Sequence, residues 1–143
     1  MAFTKEIKIT VDSVIEALDD FGAPEGEPEK MTASHTARMK NEDGVITLSY
    51  DESSEGGSCA TDIVIDGEGI TLRRTGAIET VMHFAEGERY KTVYSVPPYS
   101  FDAEIITRRI TNTVADSGLL EIKYIMTIGG AKRRTVLRIS LWS

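Results

Sequence analysis

Three pairs of adjacent arginines are the residues of this sequence best suited to bind an anion, because a guanidinium group donates two parallel hydrogen bonds to a carboxylate or phosphate. Neighbouring residues of a β-strand point to opposite faces. Each pair, if it lies in a strand, therefore predicts one arginine facing solvent and one facing the interior. The pairs are Arg73-Arg74, Arg108-Arg109 and Arg133-Arg134.

Arg74 is the arginine that the pattern places inside, because it shares its phase with Ile70 and Leu72. A buried charge that lacks a partner is strongly unfavourable, so this position needs a counter-charge. Glu52 could supply it, since it is in phase with Tyr50 if that strand extends far enough. A bound anionic ligand could supply it as well. The internal pair is the simpler of the two explanations and is favoured.

Three tyrosines, Tyr50, Tyr94 and Tyr124, lie on the apolar faces of their runs. Most tyrosines in such positions are core residues whose hydroxyl finds a hydrogen-bond partner. They would also suit the wall of a pocket that contains a few polar groups. With Glu52 and Arg74, they are the predicted lining of the interior and the candidate ligand-binding residues.

Motifs for catalysis, phosphate binding or metal binding are absent from the sequence. It contains no Gly-x-Ser-x-Gly, no phosphate-binding glycine loop and no pair of histidines at metal-ligand spacing. His35, His83 and Cys59 could form part of a zinc site only if the fold brought them together. We therefore expect no catalytic residue, no metal and no cofactor. An enzyme would need an acid–base pair such as Glu52 with a nearby Tyr or His.

The elements that must position these residues are short β-type runs, which continue from Gly44 to the C-terminus. Apolar residues recur at every second position, and turns rich in Gly, Asp and Asn separate the runs. About ten strands without room for crossover helices exclude a parallel sheet. Tight connections favour an all-β, antiparallel up-and-down barrel of about eight to ten strands over a sandwich. We expect one domain over residues 1–143.

The boundaries of the runs follow from the turn residues. Residues 14–21 also have helical spacing, but continuation of the first strand to about Ala17 is preferred. An acidic loop is predicted at 19–30, a hairpin turn at 41–44 and a flexible loop at 51–59. The predicted runs cover residues 5–17, 30–39, 45–50, 60–66, 70–75, 78–84, 89–96, 101–114, 120–128 and 137–141.

Composition limits the possible partners of this 143-residue chain, whose net charge is −7. A negative chain is an improbable partner for nucleic acid. A single cysteine excludes an intramolecular disulfide, and no apolar run is long enough for a signal peptide or a membrane span, so a cytoplasmic protein is expected. Residues 1–72 contain 5 basic and 16 acidic side chains, and residues 73–143 contain 11 and 7. Cross-strand pairing explains this asymmetry more simply than a polarised surface that steers a partner.

The order of several short motifs resembles the YwiB-like family, a small bacterial family of unknown function. The resemblance covers essentially the whole chain, although Ser100 stands where that family usually has Gly. It implies a calycin-like barrel, with lipocalins and fatty-acid-binding proteins as distant architectural relatives, and it implies no reaction. The motifs are Leu48-Ser-Tyr-Asp-Glu-Ser53, Ile70-Thr-Leu-Arg-Arg-Thr-Gly76, Met82-His-Phe-Ala-Glu-Gly87, Tyr94-Ser-Val-Pro-Pro-Tyr99 and Leu120-Glu-Ile-Lys-Tyr124.

Two functions remain open at this point. The first is a non-enzymatic barrel that binds a small amphipathic or anionic molecule in its lumen. The second is a barrel filled by side chains, which acts as a protein-interaction or regulatory module through its charged surface. Large residues in the lumen phase, such as Phe84 and Met126, favour a filled interior. The sequence does not determine the oligomeric state.

Overall fold

The computed structural model describes residues 3–54 and 57–142 of the chain. It contains ten strands and one short helix, α1 (Val114–Ser117), between the eighth and ninth strands. Among the described residues, no helix is long and apolar enough to cross a membrane. The strands are β1 (Phe3–Leu18), β2 (Glu29–Glu42), β3 (Val45–Ser54), β4 (Gly57–Ile65), β5 (Ile70–Gly76), β6 (Glu79–Phe84), β7 (Arg89–Val96), β8 (Tyr99–Thr113), β9 (Leu119–Ile128) and β10 (Ala131–Trp142).

The ten strands form a closed antiparallel barrel in which every strand pairs with its neighbours in sequence. β1 closes the barrel by pairing with β10 as well as β2, from Lys8 opposite Trp142 to Leu18 opposite Lys132. The predicted up-and-down barrel is therefore confirmed. The preference for a strand over a helix up to residue 17 is also confirmed, because two ladders satisfy the backbone of β1 at once.

The turns confirm the prediction at one site and correct it at another. In the β2–β3 hairpin, Asp43 and Gly44 both have positive φ, at 53° and 81°, as a tight hairpin turn requires. The predicted flexible loop at 51–59 is wrong. Its described residues continue β3 and β4, with Glu52 opposite Cys59, and residues 55–56 lie outside the described part. Polar composition misled the prediction, since a hairpin at an open barrel end is exposed and needs few apolar residues.

The arginine pairs follow the alternation rule in two of three cases. Arg73 and Arg134 lie on the outer face, where Arg134 forms an ion pair with Glu16. Arg74 and Arg133 lie on the lumen face, where Arg74 is half-buried and Arg133, nearer the end of its strand, is exposed. The third pair breaks the rule, because the ladder between β8 and β9 shifts register between Thr107 and Arg109. This bulge leaves both Arg108 and Arg109 exposed, so neither supplies a charge to the interior.

The two ends of the barrel interior differ in composition. The end of the barrel that holds the β2–β3, β4–β5, β6–β7 and β8–β9 connections is called the apolar end. The opposite end is called the polar end. Aliphatic residues and Phe84 fill the interior towards the apolar end. Threonines, tyrosines and charged residues replace them towards the polar end. The most completely buried side chains are Phe84, Ile9, Leu48, Ile63, Ile70, Ile105, Leu120, Ile122, Ile139, Thr61 and Thr107.

Two seams interrupt the regular ladders of the barrel. β2 and β3 pair only from Arg38 opposite Ser49 to Glu42 opposite Val45, next to their hairpin at the apolar end. β6 and β7 pair only at Glu79–Ser95 and Thr80–Tyr94. The sheet β3–β6 is therefore joined to the rest of the barrel by two short ladders, and side chains complete the seams.

Candidate functional site

The five predicted lining residues lie together on the lumen face of the polar end. The strand register places Tyr50 opposite Thr61, Thr61 opposite Arg74, and Arg74 opposite Thr80. The same row continues through Tyr94. Glu52 lies two residues beyond Tyr50 on β3, and Tyr124 comes from β9 across the lumen. The fold therefore assembles these residues from four strands, β3, β5, β7 and β9.

Arg74 and Glu52 form the ion pair that the sequence suggests, but it is loose. The distance from Arg74 Nε to Glu52 Oε2 is 3.7 Å, and the side chains are 29% and 26% exposed. The Nε atom itself is buried and has no hydrogen-bond partner among the described residues. The pair thus neutralises charge without satisfying the Arg74 donor, because a hydrogen bond requires a shorter approach.

Glu52 is the residue to which the other polar groups of this site converge. The Thr61 hydroxyl donates to its Oε2 at 3.4 Å, and His35 Nε2 lies 4.0 Å from its Oε1. Burial raises the pKa of Tyr50, and the negative charge of Glu52 and a hydrogen bond to it add to this shift, whereas Arg74 opposes it. At neutral pH the Tyr50 hydroxyl is therefore a neutral donor.

His35 belongs to the site although the sequence did not single it out for binding. Its ring stacks on Tyr50 with centroids 4.7 Å apart and planes inclined by 27°. This contact spans the seam between β2 and β3, where backbone pairing has ended. In the sequence, His35 alternates in phase with Ala37 and Met39, which indicates that it faces the lumen from β2. This pattern does not indicate which residue lies across the seam.

Tyr124 forms the floor of the site, where the polar residues meet the apolar core. It is buried, and its ring lies 4.8 Å from that of Phe84. Burial raises its pKa, against a hydrogen bond to Thr135 and the positive charges of Arg74 and Arg133. Its hydroxyl is therefore neutral and lies within electrostatic reach of both arginines.

Arg133 is the second residue that the sequence analysis missed. It pairs in register with Met126, two residues from the buried Thr135 on the same face of β10. Alternation along a strand predicts that one of Arg133 and Arg134 faces inward. It does not indicate which one, because the predicted run begins only at residue 137. Arg133 is exposed, but its charge acts on Tyr124, so the lumen-phase residues of this site include two arginines and one glutamate.

Cys59 and His83 have structural partners outside this group. The Cys59 thiol donates to the Ile78 carbonyl at 3.7 Å and accepts from the Ile78 amide at 3.2 Å. His83 Nδ1 lies 2.9 Å from the Thr71 hydroxyl on the neighbouring strand. Within residues 3–54 and 57–142, no three His, Cys, Asp or Glu side chains come together in a way that could hold a metal ion.

Open cavities adjoin the polar residues at the seams. A cavity of about 520 Å³ beside β6 and β7 has Arg74, Thr80 and Thr92 in its wall. A second, of about 450 Å³, lies where β2 and β3 separate and is lined in part by Tyr50 and Thr61. Residues of the site thus line spaces that solutes can reach.

Fold and site define a closed ten-stranded antiparallel barrel with charged and hydroxyl groups at one end of its interior. The chain belongs to the family described as "Domain of unknown function (DUF1934)", whose model matches residues 20–139. It is similar in structure to the crystal structure of the ywiB protein from Bacillus subtilis. That match has a TM-score of 0.79 at 21% identity and covers 98% of this chain and 94% of the other. No curated protein matches the chain.

Proposed function

We propose that this barrel binds a small organic anion at the polar end of its interior and performs no chemistry on it. The buried Arg74 Nε, which has no hydrogen-bond partner among the described residues, carries the proposal. A carboxylate or phosphate oxygen of a ligand would satisfy this donor. Glu52 holds the guanidinium in place without saturating it, at 3.7 Å.

The surrounding groups support an anion rather than a cation. Arg74 and Arg133 outnumber Glu52, so the local charge is positive. Burial raises the pKa of both Tyr50 and Tyr124, so neither hydroxyl adds a negative charge at neutral pH. Uncharged hydroxyls beside guanidinium groups leave the site electrostatically suited to negative oxygen atoms.

Calycin-like barrels bind ligands in their interior, and this similarity of architecture supports a binding site inside the present barrel but indicates no particular ligand. The proposed site differs from a deep apolar pocket, because buried aliphatic residues and Phe84 occupy the other half. We place the protein in the cytoplasm as part of the same proposal, since Cys59 is a free, buried thiol.

An interaction module that acts through the charged surface is the second candidate. The filled apolar half of the interior favours this second candidate, because the residues there pack against one another and leave no space for a ligand. The outer charges favour it less, since many of them pair with one another. Glu16–Arg134 joins the acidic and basic halves of the chain, while Glu121–Arg138 and Glu104–Arg89 lie within the basic half.

Isothermal titration calorimetry with acetate, benzoate and inorganic phosphate tests the proposed function. Arg74→Met should abolish binding, whereas Arg108→Met, a change at an exposed arginine that supplies no charge to the interior, should leave it intact. Native mass spectrometry of the purified protein should also show a small mass that is lost on denaturation. Absence of anion binding, or equal effects of the two substitutions, would refute the anion site and favour the interaction module.

A further inference from the structure

We infer that the anion carries an uncharged apolar group, which points out of the barrel and packs on an aromatic rim at the polar end. The aromatic rim consists of Tyr99 and Phe101 in the β7–β8 hairpin, together with the neighbouring aliphatic Val96. This inference rests on the proposed function and adds the class and orientation of the ligand. A charged head would bind inside at Arg74, and the apolar group would remain outside.

The strand register connects the aromatic rim with the anion site. Phe101 is opposite Tyr94, which belongs to the same row as Thr80 and Arg74. Alternation places Phe101 on the lumen face, in phase with the buried Ala103. The row of residues that presents the guanidinium group therefore ends in a phenyl ring.

The aromatic rim is exposed because its hairpin projects beyond the neighbouring strands. The β8–β9 ladder extends only to Ala103 opposite Ile128, so residues 99–102 of β8 have no partner in β9. The exposed fractions are 68% for Tyr99, 43% for Phe101 and 42% for Val96. Apolar side chains grouped at the mouth of a charged site indicate contact with something apolar.

A cavity lies beside the projecting hairpin and connects the two kinds of surface. It measures about 800 Å³, and its wall includes Phe101, Ala103, Thr92 and the turn residues Gly129 and Gly130. Thr92 also lines the cavity of about 520 Å³ that contains Arg74. The cationic wall and the aromatic wall therefore adjoin at a single strand, β7.

Packing and charge determine the orientation and the class of the ligand. Tyr124 and Phe84 close the floor of the site, so an apolar group cannot continue inward. Asp102 balances Lys91 in the wall of the larger cavity, and Glu104 is paired with Arg89, so this wall offers no excess positive charge to a second negative group. The ligand chemistry is that of a monocarboxylate with an aryl or short aliphatic group.

A graded series of carboxylates tests the inference by calorimetry on the intact protein. From acetate to 3-phenylpropionate, affinity should rise about tenfold, because the added phenyl group is removed from water. Phe101→Ser should remove that gain and leave acetate binding unchanged. Trp142→Ser is the matched control, since Trp142 is also exposed but lies on β10 at the apolar end. Glutarate should bind more weakly than butyrate.

The outcomes separate this inference from the proposed function. If acetate binds in an Arg74-dependent manner but the phenyl group adds no affinity, the inference fails and the anion site stands. If phosphate binds but no carboxylate does, the inference fails and the anion site stands. If neither binds, both fail. Sedimentation velocity provides a further check, because a dimer that Phe101→Ser dissociates would show that the aromatic rim covers a second copy of the chain instead.

Discussion

The apolar and polar ends of the barrel interior are built from the same strands, yet they have different physical roles. On β5, Ile70 and Leu72 precede Arg74 on one face, and on β9, Leu120 and Ile122 precede Tyr124. Both strands therefore change from aliphatic to polar while their alternation continues. In β5 and β9, one half of the strand contributes to the core, and the other half presents polar groups.

The energetic balance of the two ends differs accordingly. Burial of aliphatic side chains is the main favourable term in folding, and the apolar end contains most of it. At the polar end, charges and hydroxyls are desolvated, and one arginine nitrogen lacks a hydrogen bond. Residues that bind a ligand reduce stability in its absence, so the apolar end must compensate for them.

The largest contrast is expected from removal of one aromatic ring at each end. Phe84→Ala should destabilise the protein by about 3–5 kcal/mol, because the side chain is fully buried and its loss leaves a cavity. Phe101→Ala at the polar rim should change stability by less than about 0.5 kcal/mol. Urea denaturation measures both. Similar losses would show that the two ends are packed alike.

Alkaline pH should weaken the polar end selectively. The pKa of Tyr50 is raised in the native state, so above about pH 10 the unfolded chain releases a proton that the native chain keeps. Stability is fully present below that pH and then falls by at most about 1.4 kcal/mol per pH unit. Denaturation between about pH 9 and pH 11 should show a shallower fall for Tyr50→Phe than for the parent protein. Equal slopes would contradict the burial of this hydroxyl.

The ion pair at the polar end should contribute much less than a core residue. Arg74→Met, Glu52→Gln and their combination form a double-mutant cycle, for which we expect a coupling energy of about 1 kcal/mol or less. The reason is the 3.7 Å separation and the partial exposure of both side chains. A coupling above about 3 kcal/mol would identify a tight buried pair that leaves no role for a ligand.

The smallest expected effect concerns charges in the connections at the two ends. Glu25 lies in the β1–β2 connection at the polar end, and Glu68 in the β4–β5 turn at the apolar end. Glu25→Gln should tighten anion binding by less than about threefold at low salt, because distant surface charges are screened. Glu68→Gln should have no effect. Calorimetry at two salt concentrations distinguishes them, and an equal response to both would exclude a local electrostatic effect.

Local patterns were sufficient for much of the fold and part of the site. Alternation predicted the strands and the inward phase of Arg74 and Glu52, because the side-chain period of a strand is a local property. Turn residues predicted the hairpin at Asp43-Gly44, because the positive φ that a tight turn requires is also a local preference of these residue types. Polarity failed at residues 51–54 and 57–59, since it does not distinguish the polar end of a strand from a loop.

The residue pattern alone predicts an antiparallel meander with an inside, an outside and an inward-facing arginine. Which distant residues join this site depends on how the strands pair and close. His35 reaches Tyr50 across a seam, and Arg133 approaches Tyr124 through the register of β9 and β10. The bulge next to Arg109 likewise depends on pairing with β9. Such contacts depend on register and closure, which are set by the whole barrel and leave no local signal in any one strand.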